Sequence, residues 1–259
     1  MTKESVPVGV ISGRKRARLT VGVVVAMVDE FAAVREELLP QAIAQTLDCS
    51  QIVLGEQDDV NYVIFQSGIG TTNAAVGACD LIARYHPHYL LNLGTAALIS
   101  DPSAERQAGD VLAARQHQQW DLDIGGPITT EWTAKRSFVD VLQTTRLEPD
   151  QELWQALQLT KLYFTPALFF SGNSFFCTDE QHRLLPAAVG PVAVDMESFA
   201  IAQVCARKGV KFISLRGITD TGRATANDDF YANVRLASQN VARLARALVR
   251  QLVQPETLA

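Results

Sequence analysis

The first apolar run of the chain restricts its possible folds more than any other feature. Leu19 to Met27 (LTVGVVVAM) is almost continuously apolar and rich in β-branched residues, which is typical of a strand buried on both faces of a sheet. The acids Asp29 and Glu30 follow, and apolar residues then recur at the spacing of a helix. A buried strand that leads through a polar turn into an amphipathic helix is the repeating unit of α/β proteins.

This unit returns along the 259 residues without an internal repeat or a low-complexity segment. Apolar stretches alternate with helical patterns up to a long amphipathic helix predicted over Asp228 to Val253. We predict a flexible N-terminal extension at 1–20 and a single α/β domain over 21–255, with a three-layer αβα arrangement around a mixed, largely parallel, twisted sheet. The predicted strands after the first are Gln51 to Leu54, Tyr62 to Gln66, Tyr89 to Ala97, Gly109 to Ala114, Thr165 to Ser171, Val192 to Val194 and Phe212 to Ile218.

Charge and apolar content exclude several classes of partner. The formal net charge of −5 argues against nucleic acid or an anionic membrane surface, because phosphate binding requires clustered Lys and Arg. The only basic run, Arg14 to Arg18, lies in the predicted extension and is typical of a solvated tail. No stretch approaches the roughly 18 apolar residues of a membrane span, and residues 1–20 lack the apolar core of a signal peptide. We expect a soluble, cytoplasmic protein.

Metal and cofactor motifs are not indicated. The four cysteines are far apart and form neither a Cys-x-x-Cys pair nor a zinc-ligand pattern, so we expect reduced thiols and no metal site. Ser67 to Asn73 (SGIGTTN) opens a helix after a strand, as in dinucleotide-binding proteins. However, Asn73 replaces the third small residue, and the next strand ends in Gly94 and Thr95 without an acid to hold a ribose. We predict no cofactor.

Polar residues recur near the ends of the predicted strands. Glu30 and Thr95 occupy two of these positions, and Asp195, Glu197 and Asp220 occupy two more. Open α/β sheets bind ligands at the carboxyl ends of their strands, and carboxylates are seldom buried without partners. The repeated placement therefore indicates a site.

Several candidates also have a structural explanation. Asp195 could cap a helix, while Glu30 and Glu197 could be first-turn acids favoured by the helix dipole. The adjacent aromatics Phe175 and Phe176 follow a strand end and could be core residues or a stacking surface for a flat base. The residues alone leave these alternatives open.

Seven short segments, in order along nearly the whole chain, carry a resemblance to a known family. The segments are Val21 to Glu30 (VGVVVAMVDE), Ser67 to Gly70 (SGIG), Asn92 to Ala97 (NLGTAA), Gly109-Asp110, Ser171 to Phe175 (SGNSF), Val194 to Ser198 (VDMES) and Arg216 to Asp220 (RGITD). Through them the chain resembles the purine nucleoside phosphorylase and uridine phosphorylase superfamily, and within it is most similar to the methylthioadenosine/S-adenosylhomocysteine nucleosidases. The resemblance implies a nucleoside phosphorylase-like fold.

The resemblance implies a role for each matching residue. Glu30 matches the acid that activates the attacking water, and Asp220 matches the acid at N7 of the leaving purine. Glu197, with Met196, matches the pair that holds the ribose hydroxyls. The predicted catalytic residues are therefore Glu30, Glu197 and Asp220, and the resemblance also implies a homodimer whose second subunit helps to close the 5′ side of the site. The predicted substrate-binding residues are Thr95, Phe175, Phe176, Asp195, Met196 and Thr219.

The chemistry of N-glycosidic cleavage gives these residue types a reason. Positive charge develops on the sugar, which carboxylates stabilise, and negative charge on the base, which an acid at N7 neutralises. A phosphorylase requires cationic contacts to phosphate, whereas Ala26 to Phe31 offers two acids and no Arg, so water is favoured as the nucleophile. Together with this chemistry, the resemblance implies hydrolysis of a purine nucleoside, with 5′-modified adenosine as the expected substrate class. A phosphate-dependent purine nucleoside phosphorylase and a non-catalytic nucleoside-binding protein are the alternatives.

Overall fold

A computed structural model describes residues 19–47, 50–121, 147–185 and 188–253. The basic run Arg14 to Arg18 lies outside them. The helices in these ranges are α1 (Val28–Leu38), α2 (Thr71–Tyr85), α3 (Gln151–Leu159), α4 (Asp179–Leu184), α5 (Ser198–Lys208) and α6 (Ala226–Val253). The strands are β1 (Leu19–Val25), β2 (Gln45–Leu47), β3 (Ser50–Gln57), β4 (Val60–Gln66), β5 (Tyr89–Ser100), β6 (Val111–Gln119), β7 (Thr165–Ser171), β8 (Val192–Asp195) and β9 (Lys211–Asp220).

The described strands form one nine-stranded sheet in the order β2-β3-β4-β1-β5-β8-β7-β6-β9. Strand β9 also pairs with β5, so β5, β8, β7, β6 and β9 close into a ring. Five neighbouring pairs are parallel and four are antiparallel. The predicted α/β fold with a mixed sheet is confirmed, and parallel pairs have only a narrow majority in that sheet.

Two antiparallel pairs show how the sheet becomes mixed: one follows from a tight turn, and the other lies where a long strand changes its neighbour. Strands β3 and β4 are joined by Asp58 and Asp59, whose φ angles of 52° and 62° form a two-residue turn that reverses the chain. Strand β5 pairs with β1 over residues 89–92 and with the antiparallel β8 only beyond, from Ala97 to Ser100. The strand predicted to end at Ala97 therefore continues to Ser100, and its small residues lie where it changes partner.

Helices cover both faces of the sheet around β1. Val21, Val23 and Val25 lie in a core cluster with apolar residues of α1, α3 and α6, whereas Val24 lies in a second cluster with residues of α2 and α5. This alternation follows from the two-residue period of a strand, which sends successive side chains to opposite faces. A smaller cluster around Leu112 joins strands of the ring. Within the described ranges, no helix is long and apolar enough to cross a membrane.

Candidate active site

One cavity gathers the residues that the sequence singled out. It has a volume of about 240 Å³ and lies at the start of α1, along the middle of β5, at the carboxyl ends of β8 and β9 and beside the start of α6. In the described part of the chain, no group of three or more His, Cys, Asp or Glu side chains is placed to hold a metal ion. All nine predicted site residues line the cavity: Glu30, Thr95, Phe175, Phe176, Asp195, Met196, Glu197, Thr219 and Asp220.

Glu30 links the start of α1 to β5. The residue is 2% exposed, and its Oε2 accepts the backbone N–H groups of Ala26 at 3.1 Å and Met27 at 3.0 Å. Its Oε1 accepts the N–H of Thr95 at 2.8 Å and the Thr95 hydroxyl at 3.0 Å. Glu30 is therefore both a first-turn acid of the helix and a carboxylate of the cavity, held in place by four donors.

Arg216 on β9 is a buried cation behind the cavity wall, and the sequence reasoning assigned it no role. Its side chain is fully buried, with Nε 2.9 Å from Oδ2 of Asp195 and Nη2 3.3 Å from Oε2 of Glu197 and 2.8 Å from Oδ1 of Asn92. Burial alone would lower the pKa of this guanidinium, but the carboxylates of Asp195, Glu197 and Glu30 outweigh burial and raise it. An arginine inside an otherwise apolar predicted strand was the available signal, because a buried Arg requires carboxylate partners.

Gly94 allows two of these charged groups to approach β5. A Cβ atom at this position would collide with Nη1 of Arg216 and would lie 2.7 Å from Oε1 of Glu30. The absence of a side chain at Gly94 thus makes room for Arg216 and Glu30 beside β5.

Asp195 is the last residue of β8, and its carboxylate accepts its hydrogen bonds from groups of the protein. Its Oδ1 accepts the backbone N–H groups of Glu197 and Ser198, both at 3.2 Å, and the Ser171 hydroxyl at 2.5 Å. Its Oδ2 accepts from Arg216 and from the Ser198 hydroxyl. The capping explanation therefore holds for Asp195, although Glu197 occupies the N-cap position of α5. Both oxygens of Asp195 are bound by protein donors even though the residue borders the cavity.

Glu197 bridges the start of α2 and Arg216. Its Oε1 accepts the N–H of Gly70 at 2.9 Å, and its Oε2 faces Nη2 of Arg216 at 3.3 Å. Burial raises the pKa of Glu197 to about 7, an effect that Arg216 opposes and that the Asp195 and Glu30 carboxylates increase. Glu197 thus changes its charge near neutral pH, as groups at functional sites often do.

Asp220 enters the cavity wall from the end of β9. Its Oδ1 accepts the N–H of Gly222 and its Oδ2 accepts the Thr219 hydroxyl, each at 2.8 Å. Burial raises the pKa of Asp220, the hydrogen bonds from Gly222 and Thr219 oppose the rise, and the charge of Asp229 adds to it. A carboxyl group that keeps its proton to higher pH is suited to donate that proton to a leaving group.

Aromatic rings close another side of the cavity. Phe175 is 42% exposed and meets Phe230 of α6 edge-on, with 6.1 Å between ring centroids. Phe176 is 2% exposed, and its ring packs edge-on against Trp120 at 5.1 Å within a core cluster. Phe230 and Tyr231 also line the cavity but were not predicted. Two adjacent aromatics outside the apolar stripe of the last helix were the available signal.

Comparison with protein families gives one match over most of the chain. The family model described as the phosphorylase superfamily matches residues 20–250. A 5′-methylthioadenosine/S-adenosylhomocysteine nucleosidase of an Exiguobacterium species is 29% identical over 250 residues, covering 91% of this chain and 100% of its own length. The protein of the same name from a Marinomonas species is 28% identical over 242 residues, covering 89% of this chain and 98% of its own length.

Solved structures share the fold. The 5′-methylthioadenosine/S-adenosylhomocysteine nucleosidase of Neisseria meningitidis, in complex with methylthio-immucillin-A, matches with a TM-score of 0.76 at 24% identity, covering 90% of this chain and 99% of that chain. The futalosine hydrolase of Helicobacter pylori matches with a TM-score of 0.76 at 20% identity, covering 90% and 98% of the two chains. At these identities, the likeness concerns the fold.

Proposed function

The chain belongs to the phosphorylase superfamily, and on this premise we propose that it is an enzyme that hydrolyses the N-glycosidic bond of a 5′-modified adenosine. The substrate class follows the relatives named for methylthioadenosine and S-adenosylhomocysteine, which match 89% and 91% of this chain. The reaction would release free adenine and a free 5′-modified ribose, without a sugar phosphate.

One observation supports hydrolysis over phosphorolysis: the hydrogen-bond donors of the cavity wall are already bound to carboxylates of the protein. Glu30 already accepts three backbone N–H groups and one hydroxyl, which are the kinds of donor that hold a phosphate. The buried guanidinium of Arg216 is bound to the carboxylates of Asp195 and Glu197. None of the described residues that line the cavity is a Lys or an Arg, so a phosphate entering beside these carboxylates would meet their negative charge, whereas a neutral water would not be repelled.

In the proposed mechanism, Glu30 accepts a proton from the attacking water. A carboxylate offers about four acceptor positions, and protein donors occupy that number on Glu30. Three of these donors are backbone N–H groups with fixed directions, but the Thr95 hydroxyl can rotate about its C–O bond. We assign the place of that hydroxyl to the water, so that Glu30 deprotonates the water while Thr95 orients it.

The other two carboxyl groups act on the charges that develop as the bond breaks. Asp220 donates its proton to N7 of the purine, which stabilises the departing base. Glu197, with Met196 beside it in the cavity wall, accepts hydrogen bonds from the ribose hydroxyls, and its negative charge stabilises the cationic sugar. Phe175 presents its half-exposed ring to the base.

We further propose that the enzyme is a cytoplasmic homodimer, as expected from the sequence and its resemblance. Ile69 and Tyr231 line the cavity but are 50% and 72% exposed. A second subunit that covered these apolar side chains would close the 5′ side of the cavity and exclude water from the sugar.

The decisive experiment is to incubate the protein with a panel of nucleosides, with and without phosphate, and to measure free base and free sugar. We expect adenine release from methylthioadenosine and S-adenosylhomocysteine at a rate that does not depend on phosphate. Strict phosphate dependence with a sugar 1-phosphate product would identify a phosphorylase, and saturable binding without cleavage would identify a binding protein; either outcome would refute the proposal.

Two substitutions test the assigned roles. Glu30→Gln and Asp220→Asn preserve shape but remove the base and the acid, so each should lower kcat by about 10²–10⁴-fold. Glu36→Gln is the matched control, because Glu36 lies on the same helix as Glu30 and its side chain is 55% exposed. If correctly folded Glu30→Gln or Asp220→Asn protein keeps the wild-type rate, the mechanism is wrong.

A further inference from the structure

We propose that His182 is a positioning residue that directs the Asp220 carboxyl group toward the leaving base by fixing the peptide of Gly222. This inference rests on the proposed function, because it assigns a support to the proposed general acid. His182 lies on α4, none of whose six residues is buried or lines the cavity. It therefore acts from behind the cavity wall.

Two hydrogen bonds in series connect His182 to Asp220. Nε2 of His182 lies 2.8 Å from the carbonyl oxygen of Gly222, and the N–H of Gly222 donates to Oδ1 of Asp220 at 2.8 Å. Because a carbonyl oxygen only accepts hydrogen bonds, Nε2 must carry the proton of the imidazole. The His182 ring also packs against Phe176, with 5.8 Å between centroids. One side chain thus supports both the aromatic and the acidic walls of the cavity.

Gly222 is the residue through which this contact passes. Its φ angle is +67°, and a Cβ atom there would lie 2.6 Å from Cδ1 of Ile99 and 3.2 Å from Nε2 of His182. Glycine therefore permits the left-handed turn that brings its N–H back to Asp220 and the close approach of the imidazole on the other side of the peptide.

Gln181, the residue before His182, anchors the helix that carries both. Nε2 of Gln181 donates to the carbonyl oxygen of Phe175 at 2.9 Å, and its Oε1 accepts the N–H groups of Cys177 at 2.9 Å and Thr178 at 3.0 Å. Thr178 in turn accepts the N–H of Gln181 at 3.3 Å. The short helix is thus tied to the segment that bears Phe175, and His182 projects from a fixed support.

The consequence concerns which oxygen of Asp220 carries the transferable proton. We assign the transferable proton to Oδ2, because the N–H of Gly222 occupies Oδ1, whereas the Thr219 hydroxyl, 2.8 Å from Oδ2, can donate instead to the carbonyl oxygen of Ala96 at 3.3 Å. A fixed Gly222 peptide selects one oxygen and one direction for donation to N7. A hydrogen-bond donor to a carboxylate favours its charged form, so loosening the Gly222 peptide would raise the pKa of Asp220. It would also leave the Asp220 carboxyl group without a fixed orientation.

Other charged groups also act on Asp220 and must be kept constant in a test. Asp229 on α6 faces it and raises its pKa, and Glu30 and Glu197 line the same cavity. A change confined to His182 leaves these three carboxylates in place, so a shift of the pH profile would report on the Gly222 contact.

The experiment measures kcat/KM for methylthioadenosine hydrolysis from about pH 5 to about pH 10 in the wild type, His182→Phe and His182→Gln. His182→Phe keeps a ring against Phe176 but removes the donor to Gly222. We expect its kcat/KM to fall at least about tenfold, and the loss of activity at high pH to begin at a higher pH than in the wild type. His182→Gln supplies an amide N–H near the place of Nε2 and should restore most of the rate and the wild-type profile.

The matched control is His88→Phe. It removes another imidazole that bonds a backbone group, the N–H of Thr20 at 3.0 Å, where β1 and β5 begin. Its rate and pH profile should equal those of the wild type, and the melting temperature of every variant is measured. Wild-type behaviour of His182→Phe would overturn the proposal, as would equal losses in both His182 variants with an unshifted profile. A wild type that hydrolyses no nucleoside would refute the proposed function, and this inference with it.

Discussion

We predict a pH-dependent effect of replacing Glu197 with glutamine. The free energy of unfolding of the variant minus that of the wild type should be more positive at pH 8 than at pH 5. The native carboxyl group of Glu197 titrates at about 7, compared with an ordinary value of 4.5, mainly because it is buried. At a pH between 4.5 and about 7, the Glu197 side chain is protonated in the native state but ionised in the unfolded chain. The free energy of unfolding of the wild type therefore falls as the pH rises through this window.

The size of the effect follows from the two pKa values. Each pKa unit corresponds to about 1.4 kcal/mol, so a pKa of about 7 against 4.5 corresponds to about 3 kcal/mol over the full window. Most of it, about 2–3 kcal/mol, should be lost by the wild type between pH 5 and pH 8. The Glu197→Gln variant has no titrating group at this position and should not lose it. The substitution also changes the contact with Arg216, which alters stability by an amount that does not vary with pH. The informative quantity is therefore how much the stability difference between the variant and the wild type changes from pH 5 to pH 8.

The assay is urea unfolding followed by tryptophan fluorescence at pH 5 and pH 8, with ionic strength and protein concentration held constant. Glu56→Gln is the control, because it makes the same chemical change at an exposed carboxylate on β3. If the stability difference between Glu197→Gln and the wild type is the same at pH 5 and pH 8, or changes in the opposite direction, our explanation of the buried cluster is wrong.

Two further substitutions probe the same cluster from other sides. Arg216→Met should lower the free energy of unfolding at pH 8 by about 3–5 kcal/mol, because it leaves Asp195 and Glu197 buried without their cation; urea unfolding that shows wild-type stability would contradict this. Thr95→Val keeps the backbone N–H that Glu30 accepts but removes the hydroxyl, so we expect kcat for nucleoside hydrolysis to fall about tenfold with little change in KM, whereas Thr95→Ser should retain most of the rate. Equal rates in both Thr95 variants would exclude the orienting role of the hydroxyl.

The local pattern of the sequence was sufficient for several elements and for the polar residues that line the cavity at strand ends. The strand predicted at Thr165 to Ser171 has those bounds in the structure, because a run of seven residues with adjacent aromatics, followed by Gly172, favours a strand over a helix. The polar residues at strand ends indicated a site, because polar groups beside buried strands require partners or ligands whatever the fold. The resemblance to a known family supplied the other candidates, among them Met196, Phe175 and Phe176, and all nine candidates line one cavity.

Strand direction and the charge balance of the site were decided only by the tertiary structure. A pattern of apolar residues does not state which strands become neighbours, so it could not predict that β5 changes partner or that β9 closes a ring. The same limit hid Arg216, whose amide partner Asn92 is 124 residues away along the chain. Apolar periodicity is a property of neighbouring residues, whereas a buried ion cluster exists only after distant strands have met, because each of its charges is tolerable only beside the others.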